Sequence, residues 1–117
     1  MAEWYWPGLL FAAIAQIADG VYLYRARGRI NTGSVAVSFI EFAWLLVSVF
    51  ALVTGRLTGA AFLAAVLYVS YNLASMVQGS MMLKGMTDVK TFIVPQWMVL
   101  LSIAVGAAFA VAAIAHL

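Results

Sequence analysis

Val35-Ala36-Val37-Ser38-Phe39-Ile40-Glu41-Phe42-Ala43-Trp44-Leu45-Leu46-Val47-Ser48-Val49-Phe50-Ala51-Leu52-Val53-Thr54 is a run of twenty residues with one ionisable side chain, Glu41. A helix needs about 20 predominantly apolar residues to cross the ~30 Å of hydrocarbon in a bilayer. This stretch supplies that length, and Gly55 closes it. Three more stretches of the same kind surround it. Upstream, a first span runs from about Pro7 to Tyr24, behind the aromatic cluster Trp4-Tyr5-Trp6. Such rings prefer the headgroup level, where an apolar face and a polar edge are both satisfied. Downstream, Thr58 is placed to cap a third span reaching about Met82, and a fourth runs from about Thr91 to His116 with Pro95 near its start. The predicted fold class is an all-α integral membrane protein. It is a four-transmembrane-helix bundle in one domain over residues 1–117, with helices at about 7–24, 35–54, 58–82 and 91–116.

Composition agrees. Of 117 residues, 67% are hydrophobic and 9% charged, and the mean hydropathy is +1.08. Soluble domains carry roughly 45–50% apolar and about 25% charged residues. The bilayer is therefore the expected partner, and the net charge of +2 serves to orient helices rather than to bind nucleic acid. The N-terminus lacks the basic region of a signal peptide, so the first span is expected to be retained. The loops after the first and third spans hold Arg25, Arg27, Arg29, Lys84 and Lys90, against Arg56 alone in the middle loop. The positive-inside rule then puts both termini on the outer side, as in a multi-pass protein of a bacterial inner membrane.

Several chemistries are excluded by residue type. Without cysteine there is no disulfide, thiolate metal site or thiol nucleophile. A single histidine, His116, cannot supply two axial haem ligands or a zinc site. No lysine stands in mid-span for a retinal Schiff base, and no base is placed beside a serine. Neither a cofactor nor a metal is expected, and no enzymatic activity.

The informative residues are the two acids inside spans, Asp19 and Glu41, because a charge in the bilayer interior is costly and usually functional. With the first loop centred near residue 30, both lie eleven positions from the turn. At ~1.5 Å per residue they reach similar depth, roughly 8–10 Å below the edge of the hydrocarbon. Helical spacing adds Gln16 and Tyr22 beside Asp19 on the first span and Ser38 beside Glu41, with Trp44 flanking. The third span contributes Tyr68, Asn72 and Ser75. Together they outline an acid-lined cavity toward the cytoplasmic side. Two carboxylates in low dielectric cannot both stay charged without help, so such a site holds a proton or exchanges it for a cation. Aromatic rings such as Trp44 add cation–π contact for an organic cation. A plainer role is open for each residue. Asp19 can pair with a loop Arg or Lys, Glu41 can be protonated and hydrogen-bonded to Ser or Asn, and Gln16, Asn72 and Gln78 can join helices.

The size and four-helix layout resemble the small multidrug resistance exporters, which use one membrane glutamate in their first helix. Here the first-helix acid is Asp19, late in its span within Gln16-Ile17-Ala18-Asp19-Gly20, and Glu41 has no counterpart in that pattern. The resemblance is one of architecture. The function expected is that of a small transporter or channel for protons or cations, working as a homo-oligomer. The alternative is a non-catalytic accessory subunit of a larger respiratory or photosynthetic complex, binding lipid, quinone or pigment. Small residues at four-residue spacing on the fourth span, Ala104, Ala108 and Ala112 on one face and Ser102, Gly106 and Ala110 on another, suit close packing within the bundle or against another subunit.

Overall fold

The helix ends follow from the polar and glycine-containing turns between them. The computed structural model describes residues 3–29, 31–83 and 93–117, without the side chains of 82 and 83. Among these residues it forms four helices: α1 (Tyr5–Arg25), α2 (Thr32–Val53), α3 (Gly59–Leu83) and α4 (Gln96–Ala115). Each is long and apolar enough to cross a membrane. Lys84 and Lys90, and the expected start of the fourth span at 91, lie outside the described residues.

At the end of α1, Arg27 adopts a left-handed conformation (φ 56°). Its N–H bonds to the Tyr24 carbonyl, and the Gly28 N–H reaches back to Leu23 at 2.7 Å. This is a Schellman closure, which satisfies carbonyls the helix leaves free. Gly28 itself sits at φ 85°, where a side chain is strained. Asn31 then opens α2, its Oδ1 accepting from the Ser34 N–H at 3.0 Å while its Nδ2 donates to the Tyr22 and Arg29 carbonyls. That cap starts α2 three residues ahead of the expected Val35. At the far end of α2, Gly55 (φ 70°) closes the helix with a second Schellman pair from Gly55 to Leu52 and Arg56 to Ala51.

Two expectations are corrected. Tyr5 and Trp6 belong to α1 and are buried, whereas Trp4 is exposed. Pro7 in the first turn needs no donor, so the helix starts ahead of it and carries both rings into the core. Helix α4 begins at Gln96 rather than 91. The residue before a proline is pushed out of the helical region, and Pro95 is itself extended (ψ 142°). The strand-like segment 93–95 pairs with the first turn through an Arg29–Ile93 bridge and a Val94 N–H to Gly28 carbonyl bond of 2.8 Å. The arginine-rich turn and the lead into α4 thus share one end of the bundle. At the other end His116, exposed, stacks on Trp6 at 4.1 Å, bringing the two ends of the chain together.

Helix α1 is the centre of the packing, with α4 and α2 against it and α3 leaning on α2. Small residues allow the approach. A Cβ on Gly8 would stand 2.1 Å from the Trp44 ring, and one on Gly20 2.4 Å from Ile103. Of the two small faces of α4, Ser102-Gly106-Ala110 turns inward, with Gly106 buried against α1. Ala104 and Ala108 remain exposed. Among the described side chains of α3 the buried positions, Ala61, Ala64, Ala65 and Tyr68, fall in the first half. Beyond Tyr68 the residues grow larger and more polar, and Leu73, Met76, Val77 and Met81 are exposed. The second half of α3 therefore stands away from the bundle.

Candidate functional site

Two hydrogen bonds fix how α1 and α2 align. The hydroxyls of Tyr5 and Ser48 meet at 2.8 Å, and the Ser34 hydroxyl donates to the Asp19 carboxylate. Fourteen residues separate the two contacts on each helix, so the antiparallel pair keeps one register along its length. Asp19 is therefore level with Ser34, and Glu41 stands seven residues further along α2, roughly 10 Å at 1.5 Å per residue. The expectation of equal depth is corrected. It assumed a turn centred at residue 30, but α1 runs on through Arg25 into its closing turn while α2 starts promptly at Thr32.

The two acids share a cleft all the same. Side chains lean toward the N-terminus of their own helix, and in an antiparallel pair those leans converge. Asp19 and Glu41 accordingly line the same two cavities. The Glu41 Oε1 is buried and receives no hydrogen bond. Asp19 is supported by the Ser34 hydroxyl. Behind Glu41, the Tyr68 hydroxyl donates to its backbone carbonyl at 3.2 Å, and the Asn72 Nδ2 donates to the Tyr68 carbonyl at 2.8 Å.

The splay of α3 leaves space on both sides of this pair. One cavity of about 290 Å³ lies between α1, α3 and α4 and is lined by Gln16, Asp19, Glu41, Asn72, Ser75, Gln78 and Trp97, among others. A second, of about 540 Å³, lies between α2 and α3, lined by Asp19, Ser34, Ser38, Phe39, Glu41, Phe42, Asn72, Ser75 and Met76. Both reach Leu23 and Val94, toward the end that carries the arginine-rich turn. The acids thus form part of the wall of a mainly apolar cleft that also carries polar side chains.

Asp19, Glu41, Gln16, Ser38, Asn72 and Ser75 all line this cleft. Gln16 also ties α1 to α4, its Nε2 donating to the Ser102 carbonyl at 2.8 Å. Tyr68 is fully buried behind the cleft, edge-on to Phe109 at 5.5 Å. Tyr22 lies elsewhere, exposed and packed over Gly33 in the first turn. Trp44 lies elsewhere too, in the aromatic cluster with Trp4 and Tyr5 over Gly8, at the opposite end of α1. One turn separates it from Glu41, but its ring fills the space that Gly8 leaves. Ser34 is the partner that the sequence reading leaves out of the site, although the same stripe of α2 contains it. Compared with known protein families, characterised proteins and solved structures, the chain matches none.

Proposed function

We propose that this chain is a small polytopic membrane transporter or channel for protons or cations, with Asp19 and Glu41 as the proton- or cation-binding site. One observation carries the reading: two acids on different helices line the same cleft, and a buried Glu41 oxygen has no donor. In a site of low dielectric such a pair takes up and releases a proton as a unit. A cation entering the cleft can replace that proton and satisfy the same oxygens. The phenylalanines and Trp97 along the walls suit a cation with an apolar surface.

In this reading the four helices cross a bacterial inner membrane with the arginine-rich turn in the cytoplasm and both termini outside. The cleft then faces the cytoplasm. Four helices enclose little space, so the working form is a homo-oligomer, with exposed Ala104 and Ala108 offering a close-packing face. The same face supports the second reading, an accessory subunit seated in a larger membrane complex.

The purified chain, reconstituted alone in liposomes holding a pH-sensitive dye, is expected to dissipate an imposed pH gradient faster than empty liposomes. Liposomes that stay tight under proton, sodium, potassium and tetraphenylphosphonium gradients would contradict the transport reading. Native mass spectrometry separates the two readings. A small multiple of 12.6 kDa accords with a self-contained transporter, and foreign subunits in fixed ratio accord with the accessory role.

A further inference from the structure

A separate cavity of about 660 Å³ opens where the first turn meets the lead into α4. Tyr24, Arg25 and Arg27 form one side of it, and Ile93, Pro95 and Gln96 the other. Among the described residues no acid lines it. Two like charges beside one hollow repel each other, and an anion between them relieves that repulsion. The position of Arg27 is set by the backbone, since its left-handed turn and the Gly28–Val94 bond lock the two segments together. A Cβ at Gly28 would stand 2.3 Å from the Val94 carbonyl oxygen, so the back of the hollow is closed by main chain. The first turn of α4 borders it without a side-chain cap, and only its Met98 and Val99 N–H groups turn back to the Pro95 carbonyl.

The hollow is amphipathic as well as cationic. Arg25 ends an apolar helix, where hydrocarbon gives way to headgroups. Tyr24 is of the type that sits at that boundary, and exposed Ile93 offers an apolar wall. A ligand that suits it carries negative charge at one end and hydrocarbon at the other. Basic pockets between membrane helices are suited to anionic headgroups. We propose that this cavity binds the phosphodiester headgroup of an anionic phospholipid, held by Arg25 and Arg27. The proposal rests on the helices crossing a bilayer and is independent of any transport at Asp19 and Glu41.

The test is native mass spectrometry of the detergent-solubilised chain titrated with phosphatidylglycerol, with phosphatidylcholine of the same acyl chains, and with inorganic phosphate. Phosphatidylglycerol is expected to bind most tightly. Arg25→Gln/Arg27→Gln is expected to weaken it roughly 30-fold, the equivalent of about 1 kcal/mol per arginine, while Arg56→Gln at the other end leaves it unchanged. Gln96→Glu puts a negative charge in the hollow at a helix start that tolerates it. It is expected to weaken the anionic lipid with the fold kept, so it decides the matter if the arginine double variant does not fold. Equal retention of both lipids overturns the proposal, as does full binding by a folded arginine double variant or by Gln96→Glu. Displacement of the lipid by equimolar inorganic phosphate overturns the assignment to lipid.

Discussion

Tyr5→Phe deletes one hydroxyl and leaves its ring in place, in contact with Trp44 at 5.0 Å, Trp4 at 5.7 Å and Trp6 at 6.3 Å. What it removes is the 2.8 Å hydrogen bond to Ser48, between two side chains that are both 0% exposed. In a soluble core, stranding the serine hydroxyl costs about 1–3 kcal/mol. Two effects reduce that figure here. A helical serine can turn to the carbonyl one turn back, and the unfolded chain in lipid also finds partners, so measured interhelical couplings average about 0.6 and reach about 1.7 kcal/mol. Tyr5→Phe and Ser48→Ala are each expected to cost about 1 kcal/mol. The double variant is expected to cost less than their sum by about 0.6–1.7 kcal/mol. Reversible unfolding in mixed micelles of rising dodecyl sulfate content measures all four corners of that cycle. Strict additivity, to within about 0.3 kcal/mol, would show that the bond is not formed and would remove one of the two contacts that set the α1–α2 register.

Two further outcomes follow from the same packing. Gly8→Ala drives a Cβ to within 2.8 Å of three atoms of the Trp44 ring. It is expected to destabilise by about 1–3 kcal/mol through overpacking, with a shift in tryptophan emission. Asn31→Ala removes the cap of α2 and two bonds across the turn. It is expected to cost about 1 kcal/mol and to speed amide exchange at Thr32–Ser34 while leaving α3 unchanged.

The four spans were legible because apolar runs of sufficient length leave little choice of fold, and Gly55 marked the end of α2 because only a left-handed turn closes it there. Helix starts were less legible. Asn31 and Pro95 both move a boundary through local backbone chemistry that hydropathy does not register, one by capping early and the other by excluding the residues before it. Of the candidate residues, Gln16, Asp19, Ser38, Glu41, Asn72 and Ser75 share one cleft while Tyr22 and Trp44 lie apart from it, and the register was not legible. Counting from the middle of the loop put Asp19 and Glu41 level, whereas the Asp19–Ser34 and Tyr5–Ser48 contacts offset them by two turns. They border the same cleft through the lean of their side chains, a property of helix geometry rather than of spacing. Trp44 shows the converse limit. It flanks the stripe that carries Glu41, yet its ring is drawn to Gly8, and the presence of a vacant space on a neighbouring helix is not written in its own span.

The most direct test of the carboxyl pair is the initial rate of gradient dissipation against pH for wild-type and Glu41→Gln liposomes, with assembly of each checked by native mass spectrometry. The expected result is a pH-dependent rate in the wild type that is lost or made independent of pH by the substitution, at unchanged oligomeric mass. A Glu41→Gln protein that keeps both the wild-type rate and its response to pH would contradict the assignment of the site to Asp19 and Glu41.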